Sequence, residues 1–78
     1  MQISAKQSKA ARELLGWSQQ ILAEKSKVSK AAISFFERGE TKPTQRTQRD
    51  LINAFEDGGV RFVDNEDELG AVVLKKKK

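Results

Sequence analysis

Apolar residues recur at helical spacing in four segments of the first 57 residues, and a serine or threonine precedes each segment. Ser4 and Gln7 have the spacing of a capping box, in which each side chain satisfies a backbone N–H of the first turn. The residues predicted to cap the four helices are Ser4, Ser18, Ser29 and Thr44. The predicted ends are Gly16, Ser26, Gly39 and the Gly58-Gly59 pair.

The apolar faces of these helices predict one helical core. Its predicted members are Ala10, Ala11, Leu14 and Leu15, then Ile21, Leu22 and Ala23, then Ala32, Ile33 and Phe36, and finally Thr47, Leu51, Ile52 and Phe55. After Gly59 the period of alternation shortens to two, and a second short strand is predicted over Ala71–Leu74. We expect a β-hairpin that covers the core with Val60, Phe62, Val72 and Leu74. Alternatively, its edge strand pairs with a second copy of the chain.

The chain has 78 residues, which suits one small domain with a modest core. We predict helices in residues 1–58, a hairpin extension of the same domain in 59–74 and a polybasic tail in 75–78. The tail is interpreted as a disordered segment, with a phosphate-seeking arm or a solubility feature as alternatives. The sequence shows no apolar leader and no membrane-spanning run, so we expect a soluble, cytoplasmic protein.

Charge is distributed unevenly along the chain. The net charge is +4, but residues 1–49 hold ten basic and four acidic side chains, whereas residues 50–78 hold five and seven. A basic surface attracts polyanions through electrostatics that do not depend on sequence. Ordinary solvated charge would give the same totals, so the position of the charge matters more than its sum.

The sequence offers little for catalysis. It contains no His, Cys or Tyr, which excludes a disulfide and a soft metal site. Ser29 and Lys30 are neighbours that lie on different faces of a helix, and no glycine-rich phosphate loop is present. We therefore expect no enzymatic activity and no cofactor.

Residues 10–43 carry a family resemblance and read AARELLGWSQQILAEKSKVSKAAISFFERGETKP. Trp17-Ser18-Gln19 opens the second helix, Val28-Ser29 precedes the third, and Glu37-Arg38-Gly39 ends it, with Ala23 and Ile33 at packed positions. This pattern resembles the Cro/C1-type (XRE) helix-turn-helix family of phage-repressor-like regulators, over about residues 4–57. The resemblance implies a mainly α, four-helix lambda-repressor-like DNA-binding domain, here followed by a short C-terminal β-hairpin.

The resemblance also implies roles for individual residues. The third helix would enter the major groove of double-stranded DNA. The implied base-reading residues are Lys30, Ala31, Ser34 and Phe35. The implied phosphate-contacting residues are Gln19, Ser29, Arg38, Thr41 and Lys42. Arg12 and Glu37 match a pair that forms an internal ion pair in relatives, and we interpret them as structural.

Three positions depart from the family pattern. Lys27 stands where the turn usually has glycine, a position that favours positive φ. Ala31 and Ala32 replace polar residues, and Phe35 stands where Gln, Arg or Lys is usual. These side chains cannot form bidentate hydrogen bonds with bases but can contact thymine methyl groups. Lys30 and Ser34 are then the main polar readers, and DNA shape carries part of the specificity.

The sequence thus predicts a dimeric, sequence-specific transcriptional regulator, most simply a repressor, with its own promoter as a candidate target. Two copies would read an inverted repeat whose half-sites lie about 34 Å apart. The alternative is a protein-interaction module on the same fold, such as an antitoxin or an antiactivator. The role of Phe35 separates these hypotheses. Three roles are open for it: a DNA-facing residue, an anchor for a protein partner, or a partly buried packing residue.

Overall fold

The computed structural model describes residues 2–63 and 71–74, and describes Val63 and the last strand by their backbone alone. Its elements are α1 Ala5–Leu15, α2 Gln19–Ser26, α3 Lys30–Glu37, α4 Gln45–Asp57, β1 Val60–Val63 and β2 Ala71–Leu74. The two strands pair antiparallel, with Val60 opposite Leu74 and Val63 opposite Ala71. The predicted mainly α fold with a C-terminal hairpin is confirmed. The predicted tail at 75–78 and the side chains of Val72 and Leu74 lie outside the described residues.

All four helices begin at the predicted caps. Ser4 Oγ accepts the Gln7 N–H at 3.1 Å, and the Ser4 N–H donates to Gln7 Oε1 at 2.9 Å, which completes the capping box. In the other helices the hydroxyl oxygen of Ser18, Ser29 or Thr44 accepts the backbone N–H three residues later. Gly16 ends α1 in the left-handed conformation, with φ of 71°. Local side-chain chemistry therefore sets where these helices begin.

Lys27 ends α2 in a conformation that non-glycine residues rarely adopt. Its φ and ψ are 66° and 20°, and its N–H donates to the carbonyl of Ala23 at 2.9 Å. Within the described residues it is the single non-glycine residue with positive φ. This confirms the strain expected from the sequence, because the Cβ of an L-residue crowds the following carbonyl in this region.

Replacing Lys27 with glycine is expected to stabilise the fold by about 0.5–1 kcal/mol. Relief of left-handed strain contributes about 1–2 kcal/mol, and the greater freedom of glycine in the unfolded chain offsets part of it. Urea unfolding followed by circular dichroism measures the difference. Lys9→Gly is the matched control, because Lys9 is exposed within α1 and glycine there should cost about 1 kcal/mol. Equal losses for both variants would contradict the strain.

The core lies between the four helices and β1. Its most deeply buried large side chains are Phe55, Leu22, Ile33, Leu51 and Val60. Phe55 stacks on Trp17 with ring centroids 6.0 Å apart and meets the ring of Phe62 edge-on at 5.7 Å. Gly58 lies so close to Trp17 that an added Cβ would come within 2.8 Å of the indole ring. The hairpin therefore covers the helical core, as predicted for Val60 and Phe62.

The N-terminal segment is held on α4 by a buried side chain. Gln48 Oε1 accepts the N–H of Ile3 at 2.9 Å, and Gln48 Nε2 donates to the carbonyl of Ile3 at 2.9 Å. Both backbone groups are thus satisfied in a place that excludes water, where an unpaired group would be costly. None of the described helices is long and apolar enough to cross a membrane.

Two residues predicted to be buried are exposed instead. Successive residues of an α-helix are rotated by about 100° around its axis. Ala32 therefore points about 70° away from the direction midway between the buried Ile33 and Phe36, and it is exposed. Leu14 is 45% exposed because the inward positions of α1 next to Ala11 belong to two polar residues, Ser8 and Arg12. Both predictions were wrong, and the correction for Ala32 enlarges the outer face of α3.

Candidate nucleic-acid interface

The outer face of α3, defined as Lys30, Ala31, Ala32, Ser34 and Phe35, is the main candidate surface. Ile33 and Phe36 bury the opposite side of the helix, so the outer face points away from the core. Four of its residues are exposed and Ser34 is half-buried. The four residues predicted to read bases therefore lie on one face. Ala32, which was predicted to be buried, also lies on this face.

Phe35 is outward, as expected, and two charged residues order its surroundings. Its ring is 42% exposed, and the guanidinium carbon of Arg38 lies 5.1 Å from the ring centroid. Arg38 Nη2 in turn donates to Glu40 Oε1 at 3.4 Å, and Arg38 Nε lies 3.2 Å from Glu40 Oε2 in an exposed ion pair. Arg38, predicted to contact a phosphate, is thus exposed but engaged with two neighbours. The Phe35 ring and the Arg38 guanidinium group are therefore in contact at the end of α3.

The other predicted phosphate contacts lie at the start of α2, at the start of α3 and in the connector after α3. Ser29 is exposed, and its hydroxyl accepts the N–H of Ala32 at 3.1 Å. Gln19 is half-buried at the start of α2, where its amide donates to Glu37 Oε1 at 3.1 Å. Thr41 and Lys42 are exposed in the connector between α3 and α4. Two of these four side chains therefore also serve the fold itself.

The helix N-termini near this surface carry no negative charge of their own. The first turns of α2, α3 and α4 contain no acidic residue, and each cap is an uncharged hydroxyl residue. An Asp or Glu in a first turn would stabilise a helix through its dipole. Here the partial positive charge of each N-terminus remains available to an anion. Lys30, the first residue of α3, adds a full positive charge at the same end.

A buried charge network holds α3 in place behind the outer face. Arg12 Nη2 lies 2.8 Å from Glu37 Oε1, and Arg12 Nε donates to Glu37 Oε2 at 3.0 Å, so the pair is bidentate. The side chains are only 13% and 4% exposed. Ser8 Oγ also donates to Glu37 Oε2 at 2.7 Å, and Arg12 Nη1 donates to the Trp17 carbonyl at 3.1 Å. With Gln19, the network joins α1, α2 and α3.

The network shifts both ionisation equilibria. Burial raises the pKa of Glu37. The hydrogen bonds from Arg12, Ser8 and Gln19, together with the charge of Arg12, lower this pKa by more than burial raises it, so it lies below its ordinary value. The hydrogen bond to Glu37 raises the pKa of Arg12 above its ordinary value, against the opposite effect of burial. Both groups are therefore charged at neutral pH. The structural role expected for this pair from the family resemblance agrees with its geometry.

The described residues contain no candidate metal site. Within them, no group of three His, Cys, Asp or Glu side chains is placed to hold a metal ion. An open groove of about 900 Å³ lies between the N-terminal segment and α4, and polar residues such as Arg46, Arg49 and Gln45 line it. The outer face of α3, which protrudes rather than forming a pocket, remains the better candidate for recognition.

A comparison of the sequence with known protein families gives a match. The family model described as helix-turn-helix (HTH_3, the Cro/C1-type or XRE group) matches residues 9–56, which contain most of α1, all of α2 and α3, the connector after α3 and α4 except its last residue. The matched domain is a DNA-binding regulatory domain and not an enzymatic one. No curated protein matches the sequence at a significant level.

Proposed function

Because this chain belongs to the Cro/C1-type (XRE) helix-turn-helix family of DNA-binding regulators, we propose that it is a dimeric repressor of transcription. Each copy inserts α3 into the major groove at one half of an inverted-repeat operator. Occupation of a promoter by such a dimer blocks transcription. The first promoter to test is the one that drives the protein's own gene.

The observation that carries this proposal is the outer face of α3. Its exposed residues are small or cationic except for Phe35, so the helix can approach base edges closely. The carboxylate within α3, Glu37, is turned inward and paired with Arg12. Nothing on this helix face therefore repels phosphates. A helix with this profile suits the width of the major groove.

Phosphate contacts on both sides of the groove would fix the position of α3. Lys42 and Thr41 follow α3 in the connector, and the N-terminus of α2 presents backbone N–H groups near Gln19. Such contacts give affinity and orientation without reading sequence. In this scheme Gln19 keeps its hydrogen bond to Glu37 and offers its backbone N–H to a phosphate. Sequence reading is left to the outer face of α3.

Dimerisation follows from the small size of the reading surface. An eight-residue helix contacts few base pairs, so one copy would bind DNA weakly. Two copies related by a two-fold axis double the contacts and place two α3 helices about one helical turn apart. The two-stranded sheet leaves one edge of each strand without a partner in the described chain, and such an edge can pair with a second copy.

Selection of bound sequences from a random duplex pool, at about 0.15 M salt, tests the proposal. We expect an inverted repeat with half-sites about one helical turn apart. Sedimentation of the complex should give two chains per duplex. Recovery of unrelated sequences would refute a sequence-specific regulator and would direct attention to Phe35 as the anchor for a protein partner.

Two lysines are expected to differ in their effect on the selected operator. Lys30→Ala should weaken operator binding by about 1–3 kcal/mol and relax preference at one base pair. Lys42→Ala should weaken binding to operator and random DNA equally and reduce the slope of log K against log salt by about 1 per half-site. Fluorescence anisotropy over a salt series measures both. Lys9→Ala is the control, since Lys9 is exposed on α1. Equal effects of all three changes would contradict the assignment.

A further inference from the structure

Three neighbouring exposed positions of α3 are apolar, in a helix that is expected to read bases. They are Ala31, Ala32 and Phe35, and Phe35 lies one turn beyond Ala31 on the same face. Neither side chain type can donate or accept a hydrogen bond. Direct contacts at the centre of this face must therefore be made with apolar atoms of the DNA.

The major groove exposes one apolar group at base edges, the C5-methyl of a pyrimidine. Thymine carries this methyl in every DNA, and 5-methylcytosine carries it at the same ring position. Uracil and unmodified cytosine lack it. The small Ala31 and Ala32 side chains let the helix backbone approach the base edges. The larger Phe35 then reaches into the groove one turn further along α3.

The surroundings of Phe35 hold its ring ready for such a contact. Arg38 covers the ring at 5.1 Å from its centroid, and Glu40 contacts Arg38 through one hydrogen bond of 3.4 Å and an ion-pair distance of 3.2 Å. A cation over an aromatic face attracts the ring quadrupole and limits its rotation. Because the ring is still 42% exposed, the uncovered part is free to meet a ligand. An ordered aromatic loses little conformational entropy on binding.

Resting on the proposed function, we infer that Phe35 is a specificity-determining residue that reads the C5-methyl group of a pyrimidine in the operator. Ala31 and Ala32 complete the apolar surface that receives this methyl group. Arg38 and Glu40 are positioning residues that orient the ring. The protein thereby prefers thymine at the facing position over any base without a methyl in the groove.

Single-base substitution in the selected operator tests this inference. Each thymine of a half-site is replaced in turn by uracil, which changes only the methyl group. At one or two positions we expect about fourfold weaker binding per half-site, the ratio that corresponds to about 0.8 kcal/mol for one methyl-sized group. A cytosine and a 5-methylcytosine are then compared at the same position. If the operator with 5-methylcytosine binds fourfold more tightly than the operator with cytosine, either methylated pyrimidine can supply the methyl group. If the two operators bind equally, only thymine supplies it.

The variant Phe35→Ala links the effect to the residue. It should bind the thymine and uracil operators equally while keeping its preference at the base pair faced by Lys30. Leu14→Ala is the matched control, because Leu14 is an apolar side chain of similar exposure on α1. It should keep the full thymine-to-uracil ratio. Thermal unfolding of both variants verifies that each is folded at the temperature of the binding assay.

Two results would overturn the inference while leaving the regulator proposal intact. The first is an operator that binds equally well with uracil at every thymine position. The second is a Phe35→Ala variant that still distinguishes thymine from uracil. Failure to select any operator is a different result, because it refutes the proposed function on which the inference rests.

Discussion

Replacing Glu37 with glutamine is expected to destabilise the fold by about 3 kcal/mol, because it leaves the Arg12 charge largely buried without a counter-ion. The amide that replaces one carboxylate oxygen also points a donor at Arg12 or at Ser8, which both already donate to Glu37. In a domain of this size such a loss lowers the melting temperature by about 12–24 °C. Differential scanning calorimetry at neutral pH measures it.

The effect of Glu37→Gln should depend on pH in a defined direction. The folded-state pKa of Glu37 lies below its ordinary value of about 4.5. The stabilisation from its ionised form is therefore complete above about pH 4.5 and disappears as the pH falls through the folded-state value. The difference in unfolding free energy between the wild-type chain and Glu37→Gln should shrink steadily below about pH 4.5. Urea titrations at several pH values measure that difference.

A matched control separates this network from general charge effects. Glu56 is exposed on α4, so Glu56→Gln removes the same charge and should change stability by less than about 0.5 kcal/mol. A difference between wild type and Glu37→Gln that stays constant down to pH 3 would contradict the role assigned to the ionised carboxylate. So would a Glu37→Gln variant as stable as Glu56→Gln.

Local signals in the sequence predicted the helices well because side-chain chemistry sets their ends. The caps Ser4, Ser18, Ser29 and Thr44 are visible as residue types at fixed offsets, and all four begin helices in the structure. The left-handed conformation of Lys27 was also predictable, since the family pattern requires a glycine-like turn there. The change in the spacing of apolar residues after Gly59, from helical to alternating, likewise predicted the hairpin.

The errors arose where a residue type does not determine its environment. Alanine fits a core or a surface equally well, so Ala32 could not be assigned without the exact rotation of α3. Ser8 looked like an ordinary helix residue, yet it is fully buried and donates to Glu37. The contacts among Phe35, Arg38 and Glu40 depend on how the chain turns after α3, which side-chain patterns alone do not specify.

Replacing Ala31 with glutamate is expected to abolish operator binding, with a loss of at least about 100-fold. With a rotation of about 100° per residue, Ala31 points about 170° away from the direction midway between the buried Ile33 and Phe36. Ala31 is therefore at the centre of the outer face. A carboxylate there would face base edges and phosphates, and like-charge contacts at an interface cost several kcal/mol. In a dimer the cost is incurred at both half-sites. Anisotropy with the selected operator measures the loss.

The same substitution should not weaken the fold, which distinguishes it from a variant that fails to fold. Ala31 is exposed in the first turn of α3, where no acidic residue now complements the helix dipole, and a glutamate there contributes about 0.3–1 kcal/mol. Asn53→Glu is the control, because it adds the same charge at an exposed position of α4 and should keep most of the binding. Operator binding by Ala31→Glu within threefold of wild type would contradict the placement of α3 in the groove. A variant that is at least as stable but does not bind would mean that the absence of an acidic residue from the first turn of α3 sacrifices stability for contact with DNA.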